Sequence, residues 1–88
     1  MPAMRSKTFQ IPLSREPKMN DIILLYDTYA DSVSIYHSRY DGSDWSMFGD
    51  GNSIASTSYS GNVFTFSVVY ITGHNPAKAT YVTGWEDS

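Results

Sequence analysis

The 88-residue chain contains no cysteine, so neither a disulfide nor a thiolate is available to it. Small secreted domains are often held together by disulfides, and their absence favours a reducing compartment. Charged residues make up only 17% of the chain and the net charge is −3, which disfavours a protein that holds nucleic acid by its phosphates. No apolar run approaches a membrane span and no signal peptide is recognisable, so we expect a cytoplasmic protein.

Hydrophobic residues account for 41% of the chain, which argues against disorder. The length allows one domain, and we expect a single β-rich domain over residues 1–88, with residues 1–6 as a flexible tail. Seven Tyr accompany four Phe and two Trp. Because many of the rings carry a polar tip, they suit half-buried positions at sheet surfaces and binding faces.

Residues 62–72 form the longest run of β-branched and aromatic side chains, without Pro, Gly or charge. One face of this predicted strand is apolar and should lie on the core; it consists of Phe64, Phe66, Val68 and Tyr70. Residues 21–27 are apolar on both faces, which predicts a central strand covered on both sides. A helix over residues 20–29 is the competing interpretation, and we favour the strand because turn formers bound the short run.

The other predicted strands are shorter. Residues 8–13 contain Pro12 and fit an edge strand or an extended arm. Apolar and polar residues alternate over residues 32–40, which predicts a strand with Val33 and Ile35 on one face and Tyr36 on the other, exposed face. A turn at residues 41–43 then leads into a returning strand over residues 44–48. Further strands are expected over residues 54–59 and 77–84. The prediction is therefore a mainly β fold: a single small antiparallel sheet or barrel of about five to six strands, with at most one short helix.

No pattern in the chain predicts a catalytic residue, a cofactor or a metal. Three aspartates and Asn52 cluster among glycines at residues 41–52, but the alternating spacing and terminal Glu of a calcium loop are missing. His37 beside Ser38, and His74 beside Asn75, could each be half of a catalytic dyad. A His on a strand is more often a surface residue. We therefore predict that the protein is not an enzyme.

Aromatic and charged residues gather around the predicted turn at residues 41–43. Tyr, Trp and Arg dominate the energetics of protein interfaces, so this cluster predicts a partner-binding site. Its members are Tyr36, His37, Arg39, Tyr40, Asp41 and Trp45. The alternative interpretation is that Tyr40 and Trp45 fill a small core that has few aliphatic side chains.

Several pieces of the chain together resemble a family of small phage and prophage proteins of unknown function. They are Glu16-Pro17 ahead of the apolar run at residues 21–26, the Tyr-Asp-Gly-x-x-Trp pattern of residues 40–45, and the Val-Thr-x-Trp pattern of residues 82–85. The chain lacks the Trp-Ile start of that family, and Gly84 stands where a His usually precedes the last Trp. The resemblance implies a mobile-element product acting in a bacterial host cytoplasm.

We therefore expect a non-catalytic protein that binds a host protein, as an inhibitor of a defence or metabolic factor. Two other functions stay open. One is a virion structural or decoration component. The other is a single-stranded nucleic-acid-binding module, in which exposed rings would stack on bases.

Overall fold

The computed structural model describes residues 3–84, and these residues form six β-strands. The strands are β1 (Met4–Pro12), β2 (Ile22–Tyr29), β3 (Ser32–Arg39), β4 (Asn52–Ser60), β5 (Val63–Ile71) and β6 (His74–Val82). Over the described residues there is no helix. The prediction of a mainly β fold with about six strands is confirmed.

The six strands divide between two antiparallel sheets that pack face to face. Sheet 1 has the order β1-β5-β4 and sheet 2 the order β3-β2-β6. The buried core joins side chains of β2, β5 and the 40–51 connection. Each sheet therefore has one face in the core and one face directed outward.

Strand β5 is the centre of sheet 1, as the sequence predicts. Phe64, Phe66 and Val68 are fully buried, and they form the sheet 1 side of the core. The hairpin before β5 turns at Gly61 and Asn62, both with positive φ, which is the geometry that matches the twist of two antiparallel strands. The predicted core face of this strand is therefore confirmed for Phe64, Phe66 and Val68, whereas Tyr70 is half-buried and lies outside the core cluster.

Strand β2 is the centre of sheet 2, so the strand prediction for residues 21–27 is confirmed and the helix alternative is wrong. Its inward residues Ile23 and Leu25 are fully buried against the Phe rings of β5. Its outward residues Leu24 and Tyr26 are only half-buried. No described element covers the outer face of this sheet. Strand β2 was expected to be covered on both faces, and within the described residues it is covered on one.

The faces of β3 are the reverse of the prediction. The side chains of Val33 and Ile35 are 69% and 49% exposed, while Tyr36 packs against the core. The register with β2 explains the reversal, because Tyr36 lies opposite the buried Leu25 and Ile35 opposite the outward Tyr26. The larger ring thus occupies the inward position, beside Gly49.

Three predicted boundaries also need correction. Strand β1 begins at Met4, so the flexible tail expected for residues 1–6 does not include residues 4–6. The returning strand expected at residues 44–48 is reduced to an isolated bridge between Tyr40 and Trp45. Strand β6 runs from His74 to Val82, so it begins three residues earlier and ends two residues earlier than the strand expected over residues 77–84. The final predicted aromatic position, Trp85, lies outside the described residues.

The reversed faces of β3 predict opposite outcomes for the same substitution at two valines. Val68→Ala should lower the free energy of unfolding by about 2–3 kcal/mol, because it removes two buried methyl groups and leaves a cavity. Val33→Ala should change it by no more than about 0.5 kcal/mol, because Val33 is largely exposed. Chemical denaturation measures both values, and equal losses would contradict the assigned faces.

Candidate functional site

The outer face of sheet 2 carries a group of apolar side chains, which we call the outer patch: Leu24, Tyr26, Val33 and Ile35. The strand register brings them together, because Tyr26 lies opposite Ile35, and Val33 is the next outward residue of β3. Val33 and Ile35 are among the most exposed large hydrophobic residues of residues 3–84. The outer patch is therefore available to a partner.

Polar and charged groups border the outer patch. The Lys78 Nζ lies over the Tyr26 ring, 5.6 Å from its centroid. This cation–π contact holds the Lys78 ammonium group at the β6 side of the outer patch. His37 lies opposite Leu24 in the register and is exposed. An apolar centre with a polar border is the usual composition of a protein interface.

The outer face of sheet 1 has a different character. At its middle, the residues of the three strands carry hydroxyl or amide groups: Thr8, Gln10, Ser56, Ser58, Thr65 and Ser67. Toward its ends the same face carries apolar side chains: Val63, Val69 and Ile71 of β5 and the exposed Met4 of β1. Thr8 and Ser67 also share a hydrogen bond of 3.1 Å. Groups of this kind are well hydrated, so the middle of this face has little to gain from leaving water. Of the two described sheets, sheet 2 is the one with apolar side chains at the middle of its outer face.

The six residues of the predicted partner-binding site occupy different places. His37 and Arg39 are exposed on β3, at the border of the outer patch. Asp41 is exposed in the following turn, where its carboxylate accepts hydrogen bonds from the main-chain N–H groups of Ser43 and Asp44. These two bonds, from Asp44 and then Ser43, lower the pKa of Asp41 below its ordinary value.

The three aromatic residues of that set lie toward the core. Tyr36, Tyr40 and Trp45 are all half-buried. The rings of Tyr40 and Trp45 are 4.9 Å apart, and Trp45 also contacts Phe64 at a centroid distance of 5.6 Å. The structure thus brings His37 and Arg39 together on one face and places the rings largely inside.

A buried carboxylate, Asp21, lies immediately before β2. Its oxygens accept two hydrogen bonds from the Arg15 guanidinium, at 2.8 and 3.1 Å, and one from the Tyr81 hydroxyl at 2.6 Å. The main-chain N–H groups of Lys18 and Gly84 donate to it as well. This one side chain therefore ties the β1–β2 connection and the end of β6 to the start of β2.

These donors determine the ionisation of Asp21 and Tyr81. Burial alone would raise the pKa of Asp21, but the hydrogen bonds from Arg15, Tyr81 and the main chain outweigh it and hold that pKa well below its usual range. Burial, followed by the hydrogen bond to Asp21, raises the pKa of Tyr81 well above its usual range. Asp21 is therefore an ionised acceptor and Tyr81 a neutral donor.

A second buried carboxylate, Asp27, lies near the other end of β2. It contacts the His74 Nδ1 at 2.6 Å and accepts hydrogen bonds from the Asn75 N–H at 2.7 Å and the Asn52 amide at 3.2 Å. The His74 ring stacks on Tyr29 with centroids 4.2 Å apart. Asp27 therefore joins β2, the start of β6 and the start of β4.

An Asp–His pair of this kind also orients the base in hydrolytic enzymes, so its surroundings matter. Gly51 packs so closely that a Cβ there would overlap the imidazole, approaching Cδ2 to 2.7 Å. No Ser or Thr hydroxyl within residues 3–84 hydrogen-bonds the ring. The pair links β2 to the start of β6, with the imidazole packed between Gly51 and the ring of Tyr29.

Two of the shallow cavities at the surface are lined by residues within 3–84. One, of about 180 Å³, has a largely apolar wall that includes Met4, Met47 and Ile71; the other, of about 280 Å³, includes Glu16, Tyr40 and Tyr59. Residues 3–84 bring together no group of three or more acidic or His side chains that could hold a metal ion. The described chain also has no helix long and apolar enough to cross a membrane.

Sequence reasoning missed both buried carboxylates. The available signal was their position, since Asp21 and Asp27 stand at the two ends of the apolar run of β2. Comparison with family models, curated proteins and solved structures found no match for this chain.

The ionised state of Asp21 predicts a pH-dependent loss of stability. Asp21→Asn should lower the free energy of unfolding by about 3 kcal/mol at pH 7, because Arg15 and the other donors lose their charged acceptor. The folded-state pKa of Asp21 lies below the unfolded value of about 3.9, so the carboxylate's contribution is full above that pH and is lost as the pH falls below it. The gap between wild type and Asp21→Asn should therefore shrink below about pH 4.

Denaturation curves at several pH values measure this gap. Asp31→Asn, at an exposed carboxylate, is the control and should stay within about 0.5 kcal/mol of wild type at pH 7. A gap that persists unchanged to pH 3 would contradict the assignment.

The contact between Gly51 and His74 predicts a difference between two glycines. Gly51 has φ 79° and Gly61 has φ 59°, so alanine is strained at either position, at a cost of about 1–2 kcal/mol. Only at Gly51 would the methyl group overlap a side chain, because nothing lies within 4 Å at Gly61. Gly51→Ala should therefore be clearly the more destabilising in thermal unfolding, and its NMR spectrum should show a displaced His74 ring. Equal losses of stability in the two variants would contradict the close contact between Gly51 and His74.

Proposed function

We propose that this chain is a small non-catalytic protein that works by binding another protein through the outer face of sheet 2. The observation that supports it is the contrast between the two outer faces. The middle of the sheet 1 face is lined with hydroxyl and amide groups, while the middle of the sheet 2 face exposes Val33 and Ile35 beside Leu24 and Tyr26. A partner that covers the outer patch removes apolar surface from water, at about 25 cal/mol per Å².

His37 and Arg39 give this face its specificity. They lie on the same strand as Val33 and Ile35 and border the outer patch, where charged side chains steer encounter and select the partner. The three predicted aromatic residues support the face from behind: Tyr36 and Trp45 pack on the core, and Tyr40 packs on the ring of Trp45. A rigid support reduces the entropy lost on binding.

The resemblance to small phage and prophage proteins supports a more specific proposal. The partner is then a protein of the bacterial host, and binding inhibits a defence or metabolic factor in the host cytoplasm. The mild net charge of −3 fits a protein partner better than a nucleic acid.

A matched pair of variants tests the proposed face. Immobilised wild-type protein should retain one dominant protein from host lysate, Val33→Glu should retain at least tenfold less, and Ser58→Glu should equal wild type. Val33 is in the outer patch, whereas Ser58 is an exposed residue on the outer face of sheet 1, so the same charge is added to each face. Titration calorimetry with the purified partner then measures the two affinities.

Equal retention by the two variants would place any binding elsewhere on the molecule. If the immobilised, folded wild-type protein retains no protein from the lysate, the proposal itself is contradicted. Quenching of Trp45 fluorescence by single-stranded oligonucleotides at low salt would instead support the nucleic-acid alternative.

A further inference from the structure

The two sheets end in four outer strands, and three of these carry features that hinder pairing with another chain. Strand β1 contains Pro12 and the charged Arg5 and Lys7. Strand β4 has a register shift between Ile54 and Ser56, and β6 combines Pro76 with a register shift against β2. Proline, charge and β-bulges are the usual means by which proteins protect a sheet edge.

From Ser32 to Ser38, strand β3 has none of these features, and its charged residue Arg39 stands at the end of the strand. It pairs with β2 in an unbroken register over its whole length, from Ser32 to Arg39, and contains no proline, glycine or lysine. A straight edge of this length is a template for a further strand. It is also the strand that exposes Val33 and Ile35.

The hydrogen-bond pattern shows which main-chain groups of β3 point away from β2. Tyr40 donates to the Asp21 carbonyl and accepts from the Asn20 N–H. Because bonded pairs alternate along an antiparallel ladder, Ser38, Tyr36, Ser34 and Ser32 also bond to β2. The N–H and C=O groups of Val33, Ile35 and His37 therefore point outward, and they have no hydrogen-bond partner within residues 3–84.

The free part of this edge has defined ends. At Arg39 the main-chain carbonyl accepts from the Ser46 N–H at 3.1 Å, and the Arg39 N–H donates to the Ser46 hydroxyl at 2.9 Å. At the other end the chain turns after Tyr29 into β3. The free edge therefore runs from Ser32 to Ser38, and its centre is Ile35.

We propose that the free edge of β3 binds the same edge of a second copy of this chain, antiparallel, with the two-fold axis at Ile35. Centring on Ile35 uses the whole free edge: Ile35 pairs with its copy, and Val33 pairs with His37 of the other chain. The outward groups of these three residues then form about six hydrogen bonds. Asp31 and Arg39, which carry opposite charges just beyond the two ends, come beside each other across the axis.

This pairing has two structural consequences. The two copies of sheet 2 become one continuous six-stranded sheet, and both outer patches lie on the same side of it. The contact uses the same surface on both chains, so the assembly closes at two copies. The inference goes beyond the proposed function and does not depend on it, because the purified protein alone is enough to test it.

Single cysteines provide the test, since the chain has none of its own. In the proposed register the two Ile35 Cα atoms are about 5.5 Å apart, within the range of a disulfide. The two Val33 Cα atoms are four residues apart along the pair, at about 14 Å. Under mild oxidation Ile35→Cys should form covalent dimers at least tenfold faster than Val33→Cys, although Val33 is the more exposed residue.

Two measurements on wild-type protein complete the test. Sedimentation should show a concentration-dependent monomer–dimer equilibrium, and amide exchange at Val33, Ile35 and His37 should slow as concentration rises. Monomers at every concentration, equal cross-linking rates, or faster linking through Val33→Cys would each overturn the proposal. Loss of partner binding in Val33→Glu has no bearing on the cross-linking rates, so failure of the proposed function remains separate from failure of this inference.

Discussion

The packing of β2 against β5 is the contact on which the other elements depend. Each is the central strand of its sheet, and together they supply the fully buried Ile23, Leu25, Phe64, Phe66 and Val68. A chain of this size buries only roughly 60–65% of its unfolded surface, so a few large side chains must form the whole core. The four outer strands are held in place by pairing with these two.

Asp21 and Asp27, at the two ends of the apolar run of β2, are buried because β2 is the central strand of sheet 2. The start of β2 and its inward side at Asp27 are covered, and a polar group buried there is tolerated only with several hydrogen-bond donors. Asp21 gathers them from the β1–β2 connection and the end of β6, and Asp27 from the starts of β4 and β6. The hydrogen bonds of Asp21 and Asp27 thus hold these segments in place, which the small core cannot do by itself. A sheet fixed at both ends presents a rigid outer face, which favours binding without reorganisation.

The strands could be predicted from the sequence to the extent that local pattern determines them. The alternation in β5 and the short bounded run in β2 identified both central strands, and Pro12 marked an edge. Alternation in β3 separated two faces but could not tell which is inward, because that depends on the contact of Tyr36 with Gly49 and its position opposite Leu25. The contacts of Asp21 and Asp27 also depend on distant parts of the chain. Their partners Tyr81 and His74 lie 60 and 47 residues away in the sequence, so local pattern could not predict them.

The reversed faces of β3 connect the two proposals. A strand that places Tyr36 inward must place Val33 and Ile35 outward, so the core and the outer patch are consequences of one register. In a monomer these side chains and the main-chain groups of the free edge face water together. The three other outer strands carry proline, charge or a bulge, which shows that this sequence has the means to protect an edge. An edge without such protection, on the strand that also carries the outer patch, is what a binding surface requires.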